Sequence, residues 1–541
     1  MLNKRNNQAK AIKELLKKKF NSREELAGFK RKLSKKYGIK VLLNSDILKE
    51  YKRRMVMGAI HELPLQEKIL LKRPVRTLSG IAAIAVLTKP YTCPGQCIYC
   101  PTEKNVPKSY LSNEPAVMRA IRCHYDPYKQ VQLRLRALEA NGHQPNKIEL
   151  IVIGGTWSVL PRKYKYWFIE ECFRAANEYN LKNKILKIKN KKNKHKNLKI
   201  LKLRLLSEQK RNEKAKYKII GITLETRPDY INERELREMR ELGGTRVELG
   251  VQAIDDRILK LNKRGHGVKE IVQATKLLKN FGFKVTYHIM PGLPGSNAQK
   301  DLLMFKQLFK DQRYQPDQIK FYPTVVTRDS LLYRWWKQGK YRPYSNKVLQ
   351  NLIVACKKVV PPYVRIIRLI RDIPSESIMA GNTITNLRQV LQADGVSCRC
   401  IRCREAKDKK FEIRNLKLEI REYQASAGKE YFISYESKDG KVLYGFCRLR
   451  LPNKVGAIHE SPLRNAALIR ELHVYGELVP VGNKKIVQHA GLGKKLMAEA
   501  ERLAKQNGFN KIAVIAGIGV RDYYRKLGYK LSDSYMVKNL F

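Results

Sequence analysis

Acidic residues are scarce in this chain of 541 residues, which has 49 aspartates and glutamates against 110 lysines and arginines. The resulting formal net charge of +61 indicates a polyanionic partner, most simply a nucleic acid. No apolar run reaches membrane-spanning length, so we expect no membrane contact. Residues 1–20 contain no apolar segment followed by a cleavage site, which predicts a protein that is not secreted.

The ten cysteines are not spread along the chain as a disulfide framework. Several stand in tight spacings, and together with the missing secretory signal this predicts a reducing, cytoplasmic setting with metal-bound thiolates. The length exceeds that of one ordinary hydrophobic core, so two or three domains are expected.

Short apolar segments alternate with amphipathic helices from about residue 80 to residue 370. The predicted strands are 81–88, 147–155, 217–226, 246–252, 284–292 and 318–326, and helices are predicted at 267–282 and 299–311. Repeated β-then-α units predict a parallel sheet that forms a full or partial barrel. The active site of such a barrel gathers at the carboxyl ends of its strands.

Changes in composition divide the chain into four predicted units. They are a basic helical region over 1–75, the barrel over 76–385, a cysteine-containing linker over 386–410 and a further α/β domain over 411–541. The basic region is either a solvated helical cap or a nucleic-acid-binding module. A lysine-rich insertion at 181–216 is expected to be a solvated, partly disordered excursion rather than a nucleic-acid contact.

Cys93, Cys97 and Cys100 form a CxxxCxxC loop directly after the first predicted strand. Three thiolates in so short a loop can hold three irons of a 4Fe–4S cluster and leave the fourth iron open. That open iron can chelate the amino and carboxylate groups of S-adenosylmethionine (SAM) and start radical chemistry. A zinc site is the alternative, although zinc favours a fourth protein ligand nearby.

The loop's spacing and position resemble the radical SAM superfamily. Polar or small residues follow the other predicted strands, as a ligand site at the barrel mouth requires, although each of them alone could be an ordinary strand cap. The resemblance implies that the Gly154–Thr156 turn lies against the SAM amino group. The candidate SAM-binding residues are Gly154, Gly155, Thr156, Glu225, Arg227 and Gln252.

A second glycine-rich turn, QHAGLGK, opens a predicted helix near the C-terminus. Free N–H groups at a helix N-terminus bind a pyrophosphate, and glycines let it approach closely. The order of strand, turn, helix and strand, followed by Tyr523 and Tyr524, resembles the GNAT acetyltransferase superfamily more than a dinucleotide-binding unit. The candidate acetyl-CoA contacts are Glu471, Leu472, His473, Val474, Gln488, Gly491, Leu492, Gly493 and Tyr523.

A third cysteine group, Cys398, Cys400 and Cys403, has CxCxxC spacing and favours zinc in a structural role between the domains. His473, His459 or a distant cysteine is left to supply a fourth ligand. Reduced free cysteines are the alternative.

The combination resembles the family of the catalytic subunit of the Elongator complex, in its archaeal or bacterial form. The strings CPGQCIYCPTE, GITLETRPDYI, NKRGH and GLGKKLMAEAERLA are among those that carry the resemblance. It implies a partial (β/α) barrel followed by an α/β GNAT domain, with a basic N-terminal region, including Lys17, Lys18 and Lys19, that grips tRNA.

The family resemblance further implies that a SAM-derived radical takes hydrogen from the acetyl-CoA methyl group. The product is 5-carboxymethyluridine at the wobble uridine of the tRNA anticodon stem-loop. Tyr523, Tyr524 and Glu471 are the candidate catalytic residues, and Lys147 is linked to acetyl-CoA or is simply solvated. A one-electron donor must reduce the cluster, and a homodimer is one oligomeric state that the sequence allows.

Two other functions compete with this interpretation. One is a protein lysine acetyltransferase of the histone type, with a structural iron–sulfur cluster and Glu471 as its general base. Its basic substrate would be repelled by so basic a chain, which favours RNA. The other is a non-catalytic tRNA-binding scaffold, which leaves the cluster loop unexplained.

Overall fold

The computed structural model describes residues 2–56, 69–71, 80–179, 197–406, 416–453, 465–475 and 491–541. Within them, a seven-stranded parallel sheet runs in chain order from β1 to β7. Its strands are β1 Ala82–Leu87, β2 Lys147–Ile153, β3 Lys218–Thr226, β4 Arg246–Gln252, β5 Lys284–Ile289, β6 Gln318–Phe321 and β7 Arg365–Arg368. Because β1 and β7 do not pair, the predicted barrel is confirmed in its partial form.

Helices cover this sheet and precede it. They are α1 Leu2–Leu16, α2 Arg23–Lys36, α3 Asn44–Val56, α4 Pro115–Arg122, α5 Pro127–Ala140, α6 Arg162–Glu178, α7 Leu198–Lys214, α8 Glu233–Glu241, α9 Asp256–Leu261, α10 Val268–Asn280, α11 Ala298–Lys310, α12 Leu331–Lys337, α13 Asn346–Val359, α14 Leu387–Ala393 and α15 Ile401–Arg404. Helices α1 to α3 share a small apolar core of their own, which includes Ile12, Leu15 and Leu33. No helix of the described part of the chain is long and apolar enough to cross a bilayer.

A second seven-stranded sheet forms the C-terminal domain, with strand order β13-β14-β12-β11-β10-β9-β8. Its elements are β8 Leu416–Gln424, β9 Gly428–Ser437, β10 Leu443–Pro452, β11 Ala466–Val474, α16 Leu492–Gln506, β12 Lys511–Val514, α17 Arg521–Arg525, β13 Lys530–Ser532 and β14 Tyr535–Asn539. All neighbours are antiparallel except β11 and β12, which run parallel. This arrangement confirms the predicted α/β domain of strands around a glycine-led helix.

The lysine-rich insertion differs from its prediction. Residues 198–214 form helix α7, which packs against α6 and buries Leu201 and Leu205. Its last turn reaches the C-terminal domain, where the Glu213 carboxylate accepts a hydrogen bond from Arg525 at 2.7 Å. The prediction of a solvated excursion is therefore wrong for α7. The many charged residues of this segment obscured the leucines that recur at helical spacing along one face of the helix. Residues 180–196 lie outside the described residues.

The second sheet packs beneath the amino ends of the barrel strands through buried ion pairs. Arg470 of β11 donates a hydrogen bond to Asp317, just before β6, at 3.0 Å. Lys279 of α10 donates to Glu430 of β9, also at 3.0 Å. The two domains are thus joined by a network of buried charged groups from both sides.

Candidate active site

The cysteine loop follows β1 at the carboxyl edge of the barrel. The peptide N–H of Ile98 donates to the carbonyl of Asn262 at 3.3 Å, and that of Leu332 donates to the carbonyl of Ile98 at 2.8 Å. Two separate segments of the barrel therefore fix the loop between Cys97 and Cys100. Cys97 is buried, whereas Cys93 and Cys100 are partly exposed.

Arg264 is the nearest cation to the cysteines and was not assigned from the sequence, although it lies in the string NKRGH. Its guanidinium donates a hydrogen bond to Sγ of Cys97 at 3.3 Å and another to the carbonyl of Gly250. A hydrogen bond from the Cys100 thiol and then the charge of Arg264 lower the pKa of Cys97 to about 4, against the effect of burial. The same hydrogen bond and burial raise the pKa of Cys100, so the charge of Arg264 favours one thiolate of this pair.

Gly95 stands where no side chain fits. A Cβ there would collide with Nη1 of Arg227 and would lie 3.6 Å from Sγ of both Cys93 and Cys97. Arg227 is held by Asp229 at 2.8 Å, and its Nη1 atom is buried without a partner. A free donor over the cysteine loop suits an anionic or carboxylate-bearing ligand.

The second strand ends in the predicted glycine turn. Gly154 has a φ of +134°, and a Cβ there would collide with the Thr88 hydroxyl, so this position requires glycine. Oγ1 of Thr156 lies 3.9 Å from Sγ of Cys93. The structure therefore brings the turn to the cysteine loop.

The next four strands, β3 to β6, place a polar network inside the barrel. Nε2 of His288 lies 3.0 Å from the Glu248 carboxylate, which Lys320 also contacts. Burial raises the pKa of Glu248, but Lys320 and His288 together hold it well below its usual range. Glu225 accepts a hydrogen bond from Tyr110 at 2.8 Å, and Oε1 of Gln252 is buried without a partner. Sequence reasoning found only the strand-end members of this network, because the others lie in strand interiors.

These groups line one cavity of 710 Å³. Its lining includes Cys93, Cys97, Cys100, Gly155, Thr156, Glu225, Arg227 and Gln252. It also reaches Arg246, the first residue of β4, at the opposite end of the barrel. The volume lies within the range of about 300–1,000 Å³ that is typical of small-molecule sites. With three thiols, an unpartnered arginine donor and an unpartnered amide oxygen, these residues fit a 4Fe–4S cluster and SAM.

The C-terminal domain has an open strand edge. β11 pairs with β12 only from Ala466 to Ile469, whereas on its other side it pairs with β10 as far as Val474. Among the described residues, nothing pairs with the β12-facing edge of residues 471–474. A free edge of this kind accepts an extended amide-containing ligand such as the arm of acetyl-CoA.

Helix α16 begins next to that edge. Gly491 precedes it with a φ of +78°, and the first bond of the helix runs from the N–H of Lys495 to the Gly491 carbonyl at 3.0 Å. The N–H groups of Leu492 and Gly493 therefore remain available to a phosphate. Gln488, another predicted contact, lies outside the described residues.

The two tyrosines occupy different environments. A Cβ on Gly493 would lie 2.7 Å from the hydroxyl of Tyr523, so Tyr523 covers the start of α16. Burial raises the pKa of Tyr523, which keeps its hydroxyl protonated and able to donate a hydrogen bond. Tyr524 is buried in the domain core, with its ring 6.1 Å from that of Tyr529.

Glu471 lies where the two domains meet. Its carboxylate accepts a hydrogen bond from Arg448 at 3.0 Å and lies 3.5 Å from Nζ of Lys284 in the barrel. Burial opposes ionisation, but these two cations lower the pKa of Glu471 to about 2. A carboxylate so stabilised is a weak proton acceptor at neutral pH.

Lys147 begins β2 with an exposed side chain, on the barrel edge that faces this domain.

The three cysteines of the third group lie close together in the structure. The sulfur atoms of Cys398, Cys400 and Cys403 lie within 4.8 Å of one another, close enough to share a metal ion. In the described part of the chain no histidine, carboxylate or further cysteine joins them, so His473 is not a ligand. His459 lies outside the described residues. Thiolates suit zinc or iron, and zinc here stays a prediction.

Comparisons with known proteins match both the barrel and the C-terminal domain. The radical SAM superfamily model matches residues 88–306, the radical SAM C-terminal domain model matches 316–394, and the GNAT acetyltransferase family model matches 401–529. The tRNA uridine(34) acetyltransferase of Dehalococcoides mccartyi is 43% identical over 481 residues, covering 87% of this chain and 100% of the relative. The chain belongs to the family of tRNA uridine(34) acetyltransferases and Elongator complex protein 3.

Other members of this family are similar over most of their length. Elongator complex protein 3 of Homo sapiens is 38% identical over 503 residues, which is 88% of each chain. A solved structure of Elp3 from Methanocaldococcus infernus, lacking residues 1–46 of its own chain, has a TM-score of 0.71 and 38% identity, covering 85% of this chain and 99% of that one. Membership in this radical SAM and GNAT family implies an enzyme that uses a 4Fe–4S cluster, SAM and acetyl-CoA.

Proposed function

We propose that this enzyme converts the wobble uridine of tRNA to 5-carboxymethyluridine, with acetyl-CoA as the carbon source and SAM as the radical source. The names of the relatives, which specify uridine 34 of tRNA, support the nucleotide. The net charge of +61 supports a polyanionic substrate.

The observation that carries the proposal is a cavity that runs from the cluster cysteines toward the GNAT domain. It runs from the cluster cysteines to Arg246 at the start of β4, and the seven residues of that strand span about 20 Å. At that end Arg246 contacts Glu149 at 2.9 Å, beside the pair of Lys284 and Glu471. In this proposal an acetyl group held by the GNAT domain enters the cavity from that end and meets the radical that is formed near the cluster.

When bound, the cluster and SAM supply a 5′-deoxyadenosyl radical. In this proposal Cys93, Cys97 and Cys100 hold three irons, and Arg264 keeps the sulfur of Cys97 in its thiolate form. The unpartnered donor of Arg227 binds the SAM carboxylate. Glycine residues, Thr156, Glu225 and Gln252 orient the rest of SAM along the strand ends.

The GNAT residues have the task of presenting acetyl-CoA. Gly491, Leu492 and Gly493 bind its pyrophosphate through backbone N–H groups, and the edge from Glu471 to Val474 pairs with its arm. The protonated hydroxyl of Tyr523 donates a hydrogen bond toward the thioester.

The tRNA is proposed to approach from the barrel mouth and the N-terminal helices, where the side chains of Lys17 and Lys19 are exposed. A uridine must leave its stack to enter the cavity, which an anticodon loop permits at low cost. A one-electron donor for the cluster is a further partner that the chemistry requires.

The competing lysine acetyltransferase needs a base at the amine. Glu471 is occupied by Arg448 and Lys284 instead, which leaves it poorly placed for that role. A basic peptide would also be repelled by this surface. Both observations favour RNA over protein as the substrate.

The direct assay incubates reduced, cluster-loaded enzyme with SAM, acetyl-CoA and tRNA, and measures nucleosides and 5′-deoxyadenosine by mass spectrometry. We expect carboxymethyluridine from the wild type and none from the variant Cys97→Ala. Modification by that variant would exclude the radical route. Acetylation of lysine peptides without SAM would favour the competing function.

A further inference from the structure

A cleft of 390 Å³ lies outside the barrel, between the loop that follows β5 and the segment that follows α12. Trp335, Tyr341 and Tyr344 supply its aromatic wall, and Lys340 and Arg342 line it as well. We call it the aromatic cleft. None of these five residues lines the cavity that holds the cluster cysteines.

The aromatic wall is fixed by hydrogen bonds. The hydroxyl of Tyr341 donates to the carbonyl of Gly292 at 2.7 Å, and that of Tyr344 donates to Asp301 at 2.7 Å. A Cβ on Gly292 would lie 3.2 Å from the ring of Tyr344, so the loop and the ring are closely packed. Rings held in place before a ligand arrives lose little entropy when it binds.

The charge of the cleft is uncompensated. The side chains of Lys340 and Arg342 are exposed, and across the residues that the structure describes neither forms an ion pair. Aromatic faces beside free cations are the combination that binds unpaired nucleotides, because every base can stack and every phosphate is an anion. An uncharged apolar ligand would leave both cations without a counter-charge.

The cleft adjoins the active site. Met290 lines the cluster cavity, and Gly292, two residues later, lines the cleft. On the other side, the N–H of Leu332 at the start of α12 donates to the carbonyl of Ile98 in the cysteine loop at 2.8 Å. A nucleotide in the cleft would therefore neighbour one in the cavity.

We propose that the aromatic cleft binds one unpaired nucleotide of the RNA substrate that flanks the modified uridine. The base lies against Trp335 and Tyr344, and its phosphate lies near Lys340 and Arg342. This inference rests on the proposed function for the RNA itself. An acidic protein that donates electrons is the other occupant that the charge would attract, but a concave aromatic site favours a base over a protein face.

Photocrosslinking tests the placement. Stem-loop RNAs carrying 4-thiouridine at one unpaired position at a time are irradiated with the cluster-loaded enzyme, and crosslinked peptides are identified by mass spectrometry. We expect a flanking position to crosslink within residues 335–344. Crosslinks inside the barrel cavity, with none in the cleft, would overturn this inference and leave the proposed function intact. Absence of RNA crosslinks anywhere would count against both.

Two tryptophans on one helix give a matched pair of variants. Trp336 does not line the cleft, and its ring contacts that of Tyr333 at 5.7 Å. At equal iron content, Trp335→Ala should weaken stem-loop binding about tenfold, as expected for one lost base stack, while Trp336→Ala should bind like the wild type. Equal affinities for the two variants would contradict the inference.

The salt dependence separates RNA from a protein partner. Replacing Lys340 and Arg342 by glutamine should reduce the slope of log affinity against log salt by about 0.7 for single-stranded RNA, as expected for one lost phosphate contact. An unchanged slope would contradict the phosphate contacts. If Trp335→Ala slowed reduction by an acidic flavoprotein and left RNA affinity unchanged, the cleft would be assigned to the electron donor instead.

Discussion

The guanidinium of Arg470, on strand β11 of the GNAT domain, donates a hydrogen bond to the carboxylate of Asp317 in the barrel at 3.0 Å. Both side chains are wholly buried. Glu430 accepts a second hydrogen bond from Arg470 at 2.7 Å and one from Lys279 of the barrel at 3.0 Å. The two domains therefore share a buried ionic network, which fixes the open edge of β11 relative to the barrel cavity.

Asp317→Asn should destabilise the protein by about 3–5 kcal/mol, because the buried cations Arg470 and Lys279 then share one remaining carboxylate, that of Glu430. The measurement is the free energy of unfolding from denaturant titration. Asp311→Asn is the matched control, since among the described residues the ion pair of Asp311 is with the exposed side chain of Arg313 at 2.7 Å. Equal losses for the two variants would contradict the importance of the network.

Gly95→Ala should impair assembly of the cluster, since the added methyl group meets Arg227 and lies close to two of the cysteine sulfurs. Overpacking of this kind costs about 1–3 kcal/mol, which the loop can relieve by moving its sulfurs. Iron content and electron paramagnetic resonance of the reduced protein report the result. Gly28→Ala is the control, as nothing lies within 4 Å of its Cβ position. Full iron content in the Gly95 variant would show that the loop tolerates the methyl group.

Gly493→Ala should weaken acetyl-CoA binding about tenfold, or about 1.4 kcal/mol, by displacing Tyr523 from the start of α16. The Cβ would meet the Tyr523 hydroxyl at 2.7 Å but the ring carbon behind it only at 3.7 Å. In the background of Tyr523→Phe the same substitution should therefore cost less. Isothermal titration calorimetry of the four proteins measures this coupling, and strictly additive losses would contradict it.

Sequence reasoning found the parts of the site that local chemistry defines. The spacing of Cys93, Cys97 and Cys100 and the glycine turn before α16 carry their function in a few consecutive residues, so a motif predicted them. Arg264 and His288 act through contacts with residues far away in the sequence, Cys97 and Glu248, and no local pattern marked them. The aromatic cleft was missed for the same reason.

The fold, too, was predicted only where the signal is local in the sequence. Six strands of the barrel were predicted from apolar runs, but β6 ends at Phe321 rather than near residue 326. The seventh strand, β7, is only four residues long and gave no signal. The ionic network between the domains was not predicted, since its charges resemble surface residues in the sequence.

Stability should fall in acid as Glu471 takes up a proton. Because its cations lower the folded-state pKa from 4.5 to about 2, its contribution is complete above about pH 4.5 and is lost toward pH 2. A shift of this size corresponds to about 3 kcal/mol. Unfolding free energies of the wild type and Glu471→Gln, measured between pH 6 and about pH 3, should converge as the pH falls. Parallel curves would contradict the assigned pairing with Lys284 and Arg448.

In the proposed reaction the acetyl methyl carbon becomes bonded to the wobble uridine. Reduced enzyme is incubated with SAM, tRNA and acetyl-CoA whose methyl group carries three deuterium atoms, and the products are analysed by mass spectrometry. We expect carboxymethyluridine that retains two deuterium atoms and 5′-deoxyadenosine that has gained one. A nucleoside with an intact trideuterated acetyl group, or 5′-deoxyadenosine without deuterium, would contradict the account.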